Sequence, residues 1–83
     1  MKLRVIDIVL NAIEDRADQQ QFNLDGFEPY IEICRICADF EVFHIEPTFE
    51  QKAFCAETLE TLCNGLGLNY HALLTHALHL LNP

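Results

Sequence analysis

Serine is absent from all 83 residues, and lysine and arginine together number only five. The first absence excludes a serine nucleophile. A P-loop, a dinucleotide fingerprint and a nucleophile elbow are missing as well. The three glycines, Gly26, Gly65 and Gly67, all fall at turn positions, which leaves none to cradle a phosphate. Charge of either sign is missing from Thr61 to Pro83, so the formal net charge of −8 sits entirely on residues 1–60. No catalytic grouping emerges, and the chain is not expected to be an enzyme or to carry a cofactor.

What remains is apolar and acidic. Hydrophobic residues make up 51% of the chain and charged residues 22%, a balance that excludes general disorder and fits one small domain spanning residues 1–83. A pI near 4.6 opposes binding to nucleic acid or anionic lipid through the protein's field and favours a basic protein partner. Four cysteines without secretory context suggest buried thiols in the reducing cytoplasm. The N-terminal apolar run is broken by Asp7 and Asn11, which marks an amphipathic helix rather than a leader. The uncharged stretch 61–83 holds Asn64, Asn69, two glycines and three histidines before Leu80, too polar and too interrupted for a membrane span.

The C-terminal third organises the rest. Thr48 and Gln51 form a T-x-x-Q capping box. Behind it Cys55, Ala56, Leu59, Leu62 and Cys63 fall on one side at 100° per residue. Asn64-Gly65 offers a C-terminal stop, since both residues tolerate the left-handed conformation. Asn69 then caps a helix over 70–81. There Tyr70, Leu73, Leu74, Ala77, Leu78, Leu80 and Leu81 sweep an arc of roughly 160°, wide for a surface helix. The other side carries His71, Thr75, His76 and His79. This hairpin is read as the core and as a self-association surface, so a homo-oligomer is expected.

Upstream, Val5, Ile6, Val9, Leu10, Ile13 and Ala17 predict a helix over 3–18. Gln19 to Gly26 reads as a loop. Tyr30, Ile31, Cys34, Cys37 and Ala38 predict a second helix over 27–39, with a Glu32–Arg35 ion pair worth about 0.3 kcal/mol. Aromatic and β-branched residues from Phe40 to Ile45 suggest a short extended connector near 40–46, ended by Pro47. The fold class is therefore all-α, a four-helix domain with a helix-turn-helix-like hairpin at its C-terminus.

That hairpin also resembles the helix-turn-helix of bacterial DNA-binding regulators. Leu62, Cys63, Leu66, Gly67, Leu68 and Leu73 fit the offsets, while His76 stands where the motif has an apolar residue. The resemblance implies that the helix over 70–81 would enter a DNA groove. That helix has no Arg or Lys, and phosphate contacts supply most non-specific affinity. Only Lys2, Arg4, Arg16, Arg35 and Lys52 are available elsewhere, so no direct nucleic-acid binding is expected.

Three other groupings are candidate sites. Cys34-x-x-Cys37 with His44 and Cys55 supplies four ligands of the types zinc takes, although an apolar helical stripe is more naturally a packed one. His71, His76 and His79 share a polar helical face that could titrate or bind metal if it met its twin. Glu50, Glu57 and Glu60 form an acidic row, which could imitate phosphate spacing and occupy a nucleic-acid-handling protein. The reading that joins these features is a non-catalytic interaction module: an adaptor, inhibitor or regulatory subunit. It would act through the acidic surface and the apolar helix carrying Leu73, Leu74, Leu78 and Leu81. A DNA-binding regulator and a zinc module are the alternatives.

Overall fold

The protein is described by a computed structural model covering residues 4–43 and 45–82, with Glu41 and Val42 described by backbone only. Four helices follow one another: α1 (Val5–Gln19), α2 (Glu28–Val42), α3 (Phe49–Gly65) and α4 (Tyr70–Leu81), with a 3-10 turn at Asp25–Phe27. No strand occurs among the described residues.

The helix starts follow the side chains that cap them. Thr48 and Gln51 cap α3 reciprocally: the Thr48 hydroxyl accepts from the Gln51 backbone N–H at 3.1 Å, and the Gln51 side-chain Oε1 accepts from the Thr48 backbone N–H at 2.8 Å. Asn69 accepts from the Ala72 N–H at 3.0 Å and begins α4 where the sequence predicts it. At α1 the Asp7 carboxylate accepts from the Arg4 N–H at 3.1 Å and, over the same distance, from Arg4 Nε. These bonds satisfy N–H groups that a helix start leaves unpaired.

The stop between α3 and α4 lies two residues beyond the expected one. Gly65 is helical, and the left-handed residue is Gly67, at φ 74°. The Leu68 N–H donates to the Cys63 carbonyl at 2.8 Å and the Gly67 N–H to that of Asn64 at 3.3 Å, the paired bonds of a Schellman ending. Nothing lies within 4 Å of a Cβ built on Gly67, so Gly67→Ala should cost only the left-handed backbone penalty, about 1–2 kcal/mol. Gly65→Ala, in a helical position, should be neutral or slightly stabilising when the two variants are compared by urea titration.

The connector between α2 and α3 is shorter than the composition of 40–46 suggests. α2 continues through Phe40 to Val42, and the Ile45 N–H closes back onto the Phe40 carbonyl at 2.8 Å. Among the described residues the non-helical segment is Phe43 and 45–48, and Pro47 disfavours helix at the residue before it.

Packing pairs α1 with α4 and α2 with α3, with smaller contacts between α1 and α2 and between α3 and α4. The core draws on all four helices rather than on the hairpin alone. Val9, Leu10, Ile13 and Ala17 of α1 are each at most 2% exposed, and Ile31, Cys34, Leu62, Cys63 and Leu66 complete the centre. From α4 only Ala77 is buried. No polar or charged residue is buried among those described. Arg35 ties α2 to Glu14 of α1 at 3.1 Å and reaches Glu32 of its own helix at 3.7 Å, so the predicted intrahelical pair exists but is the longer of the two. Arg4 joins the start of α1 to Asp39 near the end of α2. The Cα radius of gyration is 12.6 Å, against about 11.8 Å for a well-packed chain of this length.

Candidate functional site: an open apolar groove beside the C-terminal helix

The two helix pairs do not close on each other completely. Between them runs an open groove of ≈ 1240 Å³. Its floor is apolar, with Val9 of α1, Cys34 and Cys37 of α2, Leu59 of α3, and Leu74 and Leu81 of α4. Arg4, Asp7, Asp39 and Lys52 line it too, and these belong to the helix ends that meet around the α2–α3 connector. Near those ends Phe43, Ile45 and Phe49 are 71%, 53% and 85% exposed, an unusual density of bare large side chains for so small a chain.

α4 borders the groove with a stripe at helical spacing: Tyr70, Leu74, Leu78 and Leu81. Tyr70, Leu74 and Leu81 line the groove and are half-buried. Leu78, on the same stripe, is 46% exposed, and Leu80 on the far side of the apolar arc is 57% exposed. Leu73 is half-buried against the core. The wide arc is therefore covered in its middle, at Ala77, and bare at its edges. His71, His76 and His79 are exposed on the outer side, and the Thr75 hydroxyl donates back to the His71 carbonyl at 2.9 Å. His76 occupies the position where the helix-turn-helix pattern has an apolar residue. The core contact is made instead by its neighbour Ala77.

Of the candidate zinc ligands, Cys34, Cys37 and Cys55 come together on the groove wall. His44 lies outside the described residues. The Cys34 thiol donates to the Cys55 carbonyl at 4.0 Å. Among the described residues no three His, Cys, Asp or Glu side chains are arranged to hold a metal ion. All four cysteines are free, with Cys34, Cys37 and Cys63 buried and Cys55 half-buried. Burial pushes each of the four thiols above its ordinary value of 9.0.

Thiols held protonated by burial react slowly, because the thiolate is the nucleophile. Ellman's reagent should modify Cys55 first and the other three only as the protein unfolds. The same burial makes the fold sensitive to alkali. Unfolded cysteines ionise around their ordinary value while the native ones keep their protons, so above that pH the native state binds more protons than the unfolded state. Stability is then fully present below about pH 9 and falls as pH rises beyond it. Urea midpoints measured upward from pH 8 should decline. Cys63→Ala, which removes one of these thiols, should flatten the decline. Asp7 contributes at the other extreme. Its hydrogen bond from the Arg4 side chain holds its carboxyl below the usual value, so that stability is present above the ordinary carboxylate range and is lost as pH falls through the lowered one.

The acidic row is dispersed rather than gathered. Glu50, Glu57 and Glu60 are all exposed on α3, and Glu57 belongs to a second, smaller cleft on the opposite side of that helix from the groove. This cleft of ≈ 320 Å³ is lined by Phe27, Tyr30, Phe54, Glu57, Thr58 and Thr61. The Tyr30 and Phe54 rings stack with centroids 5.9 Å apart and planes tilted by 30°. Sequence reasoning assigns Tyr30 to the core stripe of α2 and gives Phe54 no role. The available signal was the spacing 54, 57, 58 and 61, a helical stripe on the side of α3 away from the buried Leu59; Ala56, assigned to the apolar side by its spacing, is exposed.

No helix among the described residues is long and apolar enough to cross a membrane. Comparison with protein-family models, with curated proteins and with solved structures finds no match.

Proposed function

We propose that this protein is a non-catalytic interaction module, self-associating through α4 and the groove beside it and offering its acidic surface to a basic protein partner. The observation that carries the reading is the half-covered stripe of α4, with Leu74 and Leu81 lining an open groove and Leu78, on the same stripe, 46% exposed. Charge selects the occupant. Each chain carries −8, and the longest stretch without a charged residue is 61–83. Two copies can therefore meet along α4 without bringing carboxylates of that helix together, and the helix offers a basic partner no counter-charge. The groove's Asp7 and Asp39 lie on α1 and α2 and are paired with Arg4. A cytoplasmic, reducing setting suits four unbridged thiols. The regulator reading would need DNA to be held by a helix without Arg or Lys, and it gains nothing from the exposed position of His76.

Self-association couples stability to concentration by mass action. The thermal midpoint should rise when protein concentration is raised about a hundredfold. A midpoint unchanged over that range would contradict the reading.

A further inference from the structure

We propose that the cleft between α2 and α3 lined by Phe27, Tyr30, Phe54 and Glu57 binds the alkylammonium side chain of a basic protein partner. This rests on the reading of the protein as an interaction module and names the group and the place. Three aromatic rings around a cleft of ≈ 320 Å³ give a space suited to one side chain rather than to a helix. Tyr30 is 46% exposed and its ring stacks on Phe54, so the aromatic surface is presented to solvent instead of being consumed in the core. Aromatic faces attract a cation lying within about 6 Å of the ring centre.

The rings alone would serve any apolar group. Glu57 makes the cleft selective. Glu57 lines the cleft and its carboxylate has no ion pair among the described residues, while Arg35 is engaged by Glu14 and Glu32 and Lys52 by Glu46. No Lys or Arg lines the cleft. Asp25 and Glu28 flank Phe27 in sequence and add to the negative field at the start of α2. An entering ammonium thus meets a carboxylate and π-surface with no internal cation to displace, and the Thr58 and Thr61 hydroxyls offer further acceptors. None of the cleft's lining residues is shared with the groove, so the site remains available when α4 is covered.

The test is an NMR titration of isotope-labelled full-length protein with three probes. They are N-acetyl-lysine methylamide, its trimethylated form, and the neutral analogue in which a tert-butyl group replaces trimethylammonium. Both cations should give saturable shifts at Phe27, Tyr30, Phe54 and Glu57, in the millimolar range suited to a single side chain. The neutral analogue should bind about threefold or more weakly than the trimethylated probe. Glu57→Gln should weaken both cations roughly two- to fivefold and leave the neutral analogue unchanged, with weakening by added salt in parallel. Tyr30→Ala, at an exposed position, should abolish the shifts while the amide spectrum elsewhere stays native. Equal binding of the neutral analogue, shifts that never saturate, or cation affinity untouched by Glu57→Gln would overturn the proposal. Such a failure would leave the concentration dependence of the thermal midpoint as it was, whereas failure of the module reading would appear in that dependence.

Discussion

Replacing Leu78 by Glu should turn the assembled protein into folded monomers. Leu78 is 46% exposed in the single chain, so a carboxylate there stays in water and the monomer fold loses little. In a two-fold assembly built on α4 the same substitution acts twice. It removes about 1.5–3 kcal/mol of apolar burial per copy and faces two new carboxylates across the interface. A total of roughly 3–6 kcal/mol weakens association by about two to four orders of magnitude. Thr75→Glu adds the same charge to the same helix on its outer face and should leave assembly intact. Analytical gel filtration of the two variants beside the parent distinguishes loss of the interface from a general effect of charge on α4.

The largest expected effect on the fold itself is at Ile13. Its side chain is 0% exposed, at the centre of the α1 stripe that packs between the other helices. Ile13→Ala removes three carbons from a close-packed site and should cost about 2–5 kcal/mol. A domain of this size has a total stability of only about 5–10 kcal/mol, and each kcal/mol is worth roughly 4–8 °C in melting temperature. The variant should therefore melt at least about 10 °C lower, and at the upper end it should be partly unfolded at physiological temperature. Asn11→Ala, two residues away and exposed, should stay within about 0.5 kcal/mol of the parent. A small effect at Ile13 would mean that α1 is not the centre of the core.

Local chemistry made the helices legible. Thr48 with Gln51 and Asn69 each satisfy N–H groups within a few residues of themselves, and their side chains announce the starts of α3 and α4. The stripe of Val9, Leu10, Ile13 and Ala17 likewise contains in its spacing the face it buries. The end of α3 was harder to place, because Asn64, Gly65 and Gly67 all tolerate a left-handed backbone and only the ring of hydrogen bonds from Leu68 to Cys63 selects the last. Phe40 to Val42 have strand-like composition, yet they continue α2. Propensity is a weak prior, and α2 runs on to Val42, where the Ile45 N–H turns back to the Phe40 carbonyl. The width of the apolar arc on α4 was visible as too wide to be covered throughout, but which of its residues stay bare, Leu78 and Leu80, was not.

The groove and the aromatic cleft were not legible, for one shared reason. Each is a relation between helices that are not determined by their own periodicity. The groove exists because α1 packs on α4 and α2 on α3, leaving the two pairs imperfectly joined. Cys34, Cys37 and Cys55 share its wall through that arrangement, although Cys55 lies on a different helix from the other two. Phe27 and Phe54 are far apart in the chain, and nothing in either neighbourhood says that they face one space.

Sedimentation velocity of the full chain from low to high micromolar concentration is the most direct measurement of the central claim. The 9.5 kDa chain should move as a dimer at the upper end, dissociate on dilution, and remain monomeric throughout when Leu78 is replaced by Glu. A single monomeric boundary for the parent protein at every concentration, with the Leu78→Glu variant sedimenting identically, would contradict it.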